Sequence, residues 1–134
     1  MFAAMLLAIS IVALSQFALY YWRAIVAGVA AQTVSGRVLE AANIEAHRLQ
    51  GQDFEKLAGL HELTPELRPS GGGLTLVRVY YRIVEGLAAL SGARMPAVAE
   101  WCEHERVICA RYAAVQIDLR LQANLELAAA LRSC

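Results

Sequence analysis

The sequence predicts an all-α protein, in which a single N-terminal transmembrane helix precedes a small helical domain that ends in an antiparallel helical hairpin. Three observations lead to this prediction. No charged side chain occurs between Phe2 and Trp22. Residues 74–90 and 97–133 carry apolar side chains at helical spacing. The second of these segments contains no glycine or proline, the residues that most often interrupt helices.

The first segment has the length and composition of a membrane span. Nine of the 21 residues from Phe2 to Trp22 are Phe, Leu, Ile or Val. At a rise of about 1.5 Å per residue, a helix of this length spans about 31 Å, close to the ~30 Å hydrocarbon core of a bilayer. Aromatic and basic side chains that favour the headgroup layer follow, and we assign them to the membrane interface. These residues are Tyr20, Tyr21, Trp22 and Arg23.

Two other interpretations of this segment are less consistent with the sequence. A fully buried core helix is also apolar all round, but a domain of this size rarely devotes so long an uncharged run to one helix. A cleaved signal peptide carries basic residues before a short apolar stretch, whereas only the α-amino group precedes this one. A small-residue cleavage site exists at 29–31, but Arg23 separates it from the apolar stretch. We therefore predict an uncleaved anchor.

The anchor and a juxtamembrane helix occupy residues 1–34, and a helical connector follows at 35–69. Helical spacing continues to Gln50, either as one long rod or as two helices hinged at Ser35–Gly36. Small residues recur every fourth position at Ala24 and Gly28, which favours close helix packing in membranes or simply continues the helix.

The rest of the connector contains two helix-start signals and ends in a linker. Asp53 is a favourable N-cap for a short helix. Thr64 followed by Pro65 indicates a second cap, with proline at the first helical position. Three consecutive glycines in residues 70–73 then form a glycine linker.

Residues 74–134 are predicted to form the helical hairpin. Residues 74–81 are rich in strand-forming side chains, but Arg78, Arg82 and Glu85 recur at i, i+4 and i+7, which indicates a helix. Residues 115–122 alternate between apolar and polar side chains as a half-buried strand does. The lack of helix breakers on either side favours a helix there as well.

Charge and composition narrow the possible partners and the compartment. Twelve basic and twelve acidic side chains give a net charge of zero, which argues against nucleic acid as a partner. Eleven of the twelve basic residues are arginine, a bias typical of GC-rich bacterial genomes. Arg23 and Arg37 follow the span, and only the amine precedes it. The positive-inside rule then predicts a bacterial inner-membrane protein with its N-terminus outside and its C-terminal domain in the cytoplasm.

The polar cluster around residue 104 is the densest candidate for chemistry. Cys102, His104 and Cys109 are weak candidates for a metal site, because a structural zinc site requires four ligands with closely spaced pairs. Both cysteines fall on the apolar stripe of the predicted helix, where a thiol packs as a small hydrophobe. They lie about 10 Å apart along its axis, too far for a disulfide. We expect no metal, no cofactor and no catalytic residue.

The sequence therefore predicts a non-enzymatic, single-pass membrane protein. We expect it to act as an accessory, scaffolding or oligomerising subunit that contacts lipid and other proteins, including copies of itself. The expected partner-contact residues are Tyr80, Tyr81, Trp101, Tyr112 and Leu119. The alternative is a small bundle that binds metal, haem or another ligand in a redox or sensory role, with His61 as a further candidate ligand.

Overall fold

The computed structural model describes residues 1–34, 36–44, 49–65, 73–91 and 94–134. These residues form helices and no strand, which confirms the predicted all-α class. The helices are α1 (Phe2–Ala30), α2 (Gly36–Ala41), α3 (Phe54–Leu63), α4 (Gly73–Ser91) and α5 (Pro96–Ser133), and a 3-10 turn at Gly51–Asp53 precedes α3.

The longest helix, α5, is the centre around which the others pack. α4 runs antiparallel to it, since Tyr80 bonds to Glu105 and a Cβ on Gly73 would lie 2.5 Å from the hydroxyl oxygen of Tyr112. This pair is the predicted hairpin. The core lies between α5 and its neighbours, and its largest fully buried side chains include Phe54, Leu57, Tyr81 and Ile117.

Helix α1 consists of two parts with different surroundings. None of the residues in its most apolar stretch of 18 is buried. Val26 and Ala30 near its C-terminal end are instead buried in the core. α1 ends at Ala30 and α2 begins at Gly36, so the structure has the two-helix alternative and not the continuous rod.

Helix α2 ends nine residues earlier than helical spacing to Gln50 predicts, because Asn43 adopts a left-handed backbone conformation with φ 54°. The amide of Ile44 donates to the carbonyl of Leu39, and the amide of Asn43 donates to that of Glu40, each at 2.9 Å. This is a Schellman termination, in which an apolar contact usually accompanies the hydrogen bonds. Both Leu39 and Ile44 are buried.

Asp53 occupies the predicted N-cap position of α3, but its side chain forms no capping hydrogen bond with that helix. The Asp53 carboxylate instead accepts a hydrogen bond from the Gln50 amide at 2.9 Å, as part of a capping box on the 3-10 turn. Thr64 ends the helix in an extended conformation. The predicted glycine linker lies outside the described residues except for Gly73, the first residue of α4. The helix start expected after Thr64 also falls largely on residues that the structure does not describe.

Helix α5 begins at Pro96, which occupies the predicted first-turn position. The segment 115–122 is helical despite its alternating pattern. Arg120 donates to the backbone carbonyls of His61 and Thr64 at 3.2 and 3.3 Å. The C-terminal end of α3 is thereby tied to α5, since a cation at that end satisfies carbonyls that lack helical partners.

Candidate functional site

A buried carboxylate on α5 joins three helices. Glu105 is 2% exposed. It forms an ion pair with Arg23 of α1 and accepts a hydrogen bond of 2.8 Å from the Tyr80 hydroxyl of α4. Burying a carboxylate is costly unless donors and a cation compensate its charge. Both are present here, so Glu105 fixes the C-terminal part of α1 to the hairpin.

The same arginine also contacts an exposed aromatic ring. The guanidinium carbon of Arg23 lies 5.4 Å from the centroid of the Trp101 ring, within range of a cation–π interaction. Arg23 was assigned from sequence to the membrane interface, and in the structure its charge is directed towards Glu105 and Trp101. Tyr20 and Tyr21 are exposed, and Trp22 packs partly against the core.

A second polar contact lies one residue further along both helices of the hairpin. The buried ring of Tyr81 stacks on Phe54 of α3, with 4.3 Å between the ring centroids. Arg106 donates to the Tyr81 hydroxyl oxygen at 3.3 Å, and this hydrogen bond raises the pKa of Arg106. Tyr81 therefore connects α3, α4 and α5 in the way that Glu105 connects α1, α4 and α5.

Two weakly acidic side chains beside Glu105, and a third elsewhere on α5, hold their protons at neutral pH. Burial and the neighbouring Glu105 carboxylate raise the pKa of the Cys109 thiol to about 12. Burial and the hydrogen bond to Glu105 raise the pKa of Tyr80, and burial raises that of Tyr112. The thiolate is the form that acts as nucleophile or metal ligand, so Cys109 is poorly suited to either role.

The candidate metal ligands do not share a common space. Cys102 and Cys109 are buried on the core side of α5, whereas His104 is exposed. Among the residues that the structure describes, no group of three His, Cys, Asp or Glu side chains is placed to hold a metal ion. His61 lies on α3.

The five residues expected to contact a partner occupy different environments. Tyr81 and Tyr112 are buried within this chain, and Tyr80 is half-buried on Glu105. Trp101 and Leu119 are exposed. Of the five, only these two expose more than a third of their surface, at 38% and 46%.

Sequence reasoning missed an exposed apolar surface on α4. Its residues are between 43% and 59% exposed, and they lie opposite the buried side of the helix. They follow one another at i, i+3, i+7 and i+11, the spacing of one helix face, so the signal was present in the sequence. We call this surface the α4 outer face, and it consists of Leu76, Val79, Ile83 and Leu87.

Helix α1 is long and apolar enough to cross a membrane. Comparison of the chain with protein-family models, with curated proteins and with solved structures finds no match.

Proposed function

We propose that this protein is a non-enzymatic, single-pass protein of a bacterial inner membrane, with its N-terminus outside and its helical domain in the cytoplasm. It self-associates and serves as an accessory or scaffolding subunit. The observation that carries the proposal is the contrast within α1, whose most apolar stretch of 18 residues is exposed while Val26 and Ala30 are buried. Inserting the nine Phe, Leu, Ile and Val side chains contributes on the order of −3 to −5 kcal/mol.

The α4 outer face supports the partner-binding part of the proposal. The opposite side of α4 is already buried through Val77, Tyr81 and Val84. A helix that is apolar on two sides is usually covered on both, and contiguous exposed apolar patches often mark interaction sites. Within the described residues, nothing covers this second side.

A second copy of the chain is the partner that fits this face. Two copies anchored in one bilayer share one direction, and a two-fold axis along the membrane normal makes their α4 helices parallel. Leu76 of one copy then meets Leu76 of the other, and Ile83 meets Ile83, at the seven-residue repeat of a coiled coil. Gly86 lies beside these residues, and a Cβ added there would meet nothing within 4 Å in this chain.

The self-association is tested by introducing a charge on the α4 outer face. We expect full-length Ile83→Glu, purified in a mild non-ionic detergent, to have the mass of a monomer by light scattering, whereas the unmodified protein is a dimer. Leu131→Glu is the matched control, because Leu131 is also an exposed aliphatic residue but lies near the end of α5; it should remain dimeric. An unmodified protein that is monomeric, or an Ile83→Glu variant that is still a dimer, refutes this part.

The anchor and its orientation are tested in membranes. The protein should remain in the pellet when membranes are washed with alkaline carbonate, and release into the supernatant would contradict the anchor. Cys134 is exposed, so it reports orientation. We expect a membrane-impermeant maleimide to label Cys134 only after spheroplasts are opened. Labelling in intact spheroplasts would contradict the proposed orientation.

A further inference from the structure

We infer that the last residues of α4 and the residues just before α5 form a second membrane-binding element, which inserts into the headgroup layer beside α1. We call this element the hairpin tip, and it consists of the described residues Leu90, Arg94 and Met95. The inference rests on the proposed anchor, and adds a contact with lipid that belongs to the helical domain itself.

The direction of the helices places the hairpin tip on the bilayer side. α1 and α5 run the same way, since Arg23 contacts Trp101 and Glu105, whereas Ala31, directly after α1, lines a cavity with Val107 and Arg111 further along α5. The start of α5 therefore points towards the exposed, apolar end of α1. α4 is antiparallel to α5, so its last residues point the same way.

The depth of the hairpin tip follows from the helical rise. Met95 comes six residues before Trp101, which is about 9 Å along the axis. Tyr80 and Glu105 are hydrogen-bonded and therefore lie at the same level of the hairpin. Leu90 comes ten residues after Tyr80, and Met95 comes ten residues before Glu105, so Leu90 and Met95 also lie at one level. Arg23 contacts both Trp101 and Glu105, which Met95 precedes by about 9 and about 15 Å along the axis. If Arg23 lies at the headgroup layer, the tip therefore lies about 9–15 Å further in, at or beyond the inner limit of the ~5–10 Å to which interfacial helices insert.

The side chains of the hairpin tip suit this layer. Leu90 is 83% exposed and Met95 is 57% exposed, so the chain itself covers little of either. Arg94 is exposed between them, and a long basic side chain at this depth extends its charge to lipid phosphates while its stem stays in apolar surroundings. Trp101 is exposed and contacts Arg23, which follows Tyr20 and Tyr21 by less than one helical turn, and the three rings together supply an aromatic belt from two helices.

A lipid surface explains the hairpin tip better than a protein partner does, because the tip is continuous with the anchor and faces the bilayer. The two membrane contacts would hold the domain upright, with α4 and α5 close to the membrane normal. The α4 outer face would then be presented sideways to another copy in the same membrane.

The experiment places a fluorescent probe at single cysteines in the full-length protein, reconstituted in phosphatidylcholine–phosphatidylglycerol vesicles. Cys134→Ser removes the exposed thiol, while Cys102 and Cys109 remain buried. Leu90→Cys, Leu7→Cys and Leu131→Cys are each labelled with the environment-sensitive dye NBD. Lipids with a spin label high or low on the acyl chain then quench the dye according to its depth.

We expect shallow spin-labelled lipid to reduce the fluorescence at position 90 by more than half and to leave that at position 131 unchanged. Spin-labelled lipid should also quench position 7, which lies in the anchor. Quenching at 7 without quenching at 90 overturns the hairpin-tip inference and leaves the anchor intact. No quenching at 7 overturns both. A blue-shifted but unquenched dye at 90 would show that protein covers the tip, which also overturns the inference.

Discussion

At the scale of single residues, burial separates side chains of the same chemical type. Cys102 and Cys109 lie in the core, and Cys134 is exposed at the end of α5. Cys109 also lies close enough to Glu105 for the carboxylate to disfavour its thiolate. The spacing of these residues on the predicted helix excludes a disulfide between the first two cysteines and places Glu105 one turn before Cys109, whereas the burial of the Glu105 carboxylate required the structure.

This difference predicts selective thiol reactivity. At pH 9 a thiol with a pKa of about 12 is ionised to about 0.1%, so Cys109 should not react with a maleimide in the folded protein. We expect one thiol per chain, Cys134, to react in mild detergent and all three to react after denaturation, as counted by mass spectrometry. Cys134→Ser is the control and should abolish labelling of the folded protein. Rapid labelling of Cys109 would contradict its burial.

The raised pKa also fixes the direction of a pH effect on stability. The folded state holds the Cys109 proton more tightly than the unfolded state, where the thiol has its ordinary value of 9.0. The resulting stability is fully present below pH 9 and is lost as the pH rises through about 12. Burial gives Tyr80 and Tyr112 shifts of the same sign, so the three groups act together at alkaline pH.

At the scale of helices, the sequence predicts starts better than ends. Pro96 and Asp53 occupy the predicted positions, because proline and capping residues act through local geometry, although the Asp53 side chain bonds within the 3-10 turn and not to α3. The end of α2 at Asn43 was not predictable in this way, since asparagine adopts the left-handed conformation only in some contexts. Its conformation depends on burying Leu39 and Ile44 together, which a local pattern does not report.

Gly51 in the turn before α3 and Gly59 within α3 should respond in opposite ways to substitution by alanine. A Cβ on Gly51 would lie 2.5 Å from the Cβ of Arg106, whereas a Cβ on Gly59 would meet nothing within 4 Å. Gly51→Ala should therefore destabilise the protein by about 1–3 kcal/mol through overpacking. Gly59→Ala should stabilise it by about 0.5–1 kcal/mol through a better helix propensity. Thermal unfolding in detergent, followed by circular dichroism, measures both.

The comparison of these two variants is its own control. Equal shifts in the unfolding temperature would contradict the close approach of the turn at Gly51 to α5. A destabilised Gly59→Ala variant would indicate that the exposed side of α3 is covered in the protein.

At the scale of the whole molecule, the sequence predicts the helices but not which helix faces pack together. Apolar spacing placed α4, α5 and the anchor because it depends only on neighbouring residues. The ion pair between Arg23 and Glu105 joins residues 82 positions apart, and neither residue signals the other. The same limit explains why Tyr81 and Tyr112 were expected at a partner surface, since an aromatic side chain on an amphipathic helix suits either a core or an interface.

The Arg23–Glu105 pair also predicts how strongly the anchor is joined to the domain. A matched pair exists in Arg78 and Glu62, which lie 2.7 Å apart. The two arginine side chains are similarly exposed, at 43% and 39%, but Glu105 is 2% exposed and Glu62 is 62% exposed. Removing an arginine therefore leaves a buried carboxylate without its cation in one case and a solvated one in the other.

We expect Arg23→Gln to lower the free energy of unfolding in detergent by about 1–3 kcal/mol and Arg78→Gln to lower it by no more than about 1 kcal/mol. Adding Glu105→Gln to Arg23→Gln should recover part of the loss, because it removes the uncompensated buried charge and keeps an acceptor for the Tyr80 hydroxyl. If Arg23→Gln and Arg78→Gln have equal effects, Glu105 is not buried beneath α1. The anchor would then be joined to the domain mainly by the apolar contacts of Val26 and Ala30, and the bilayer depth assigned to the hairpin tip would lose its reference point.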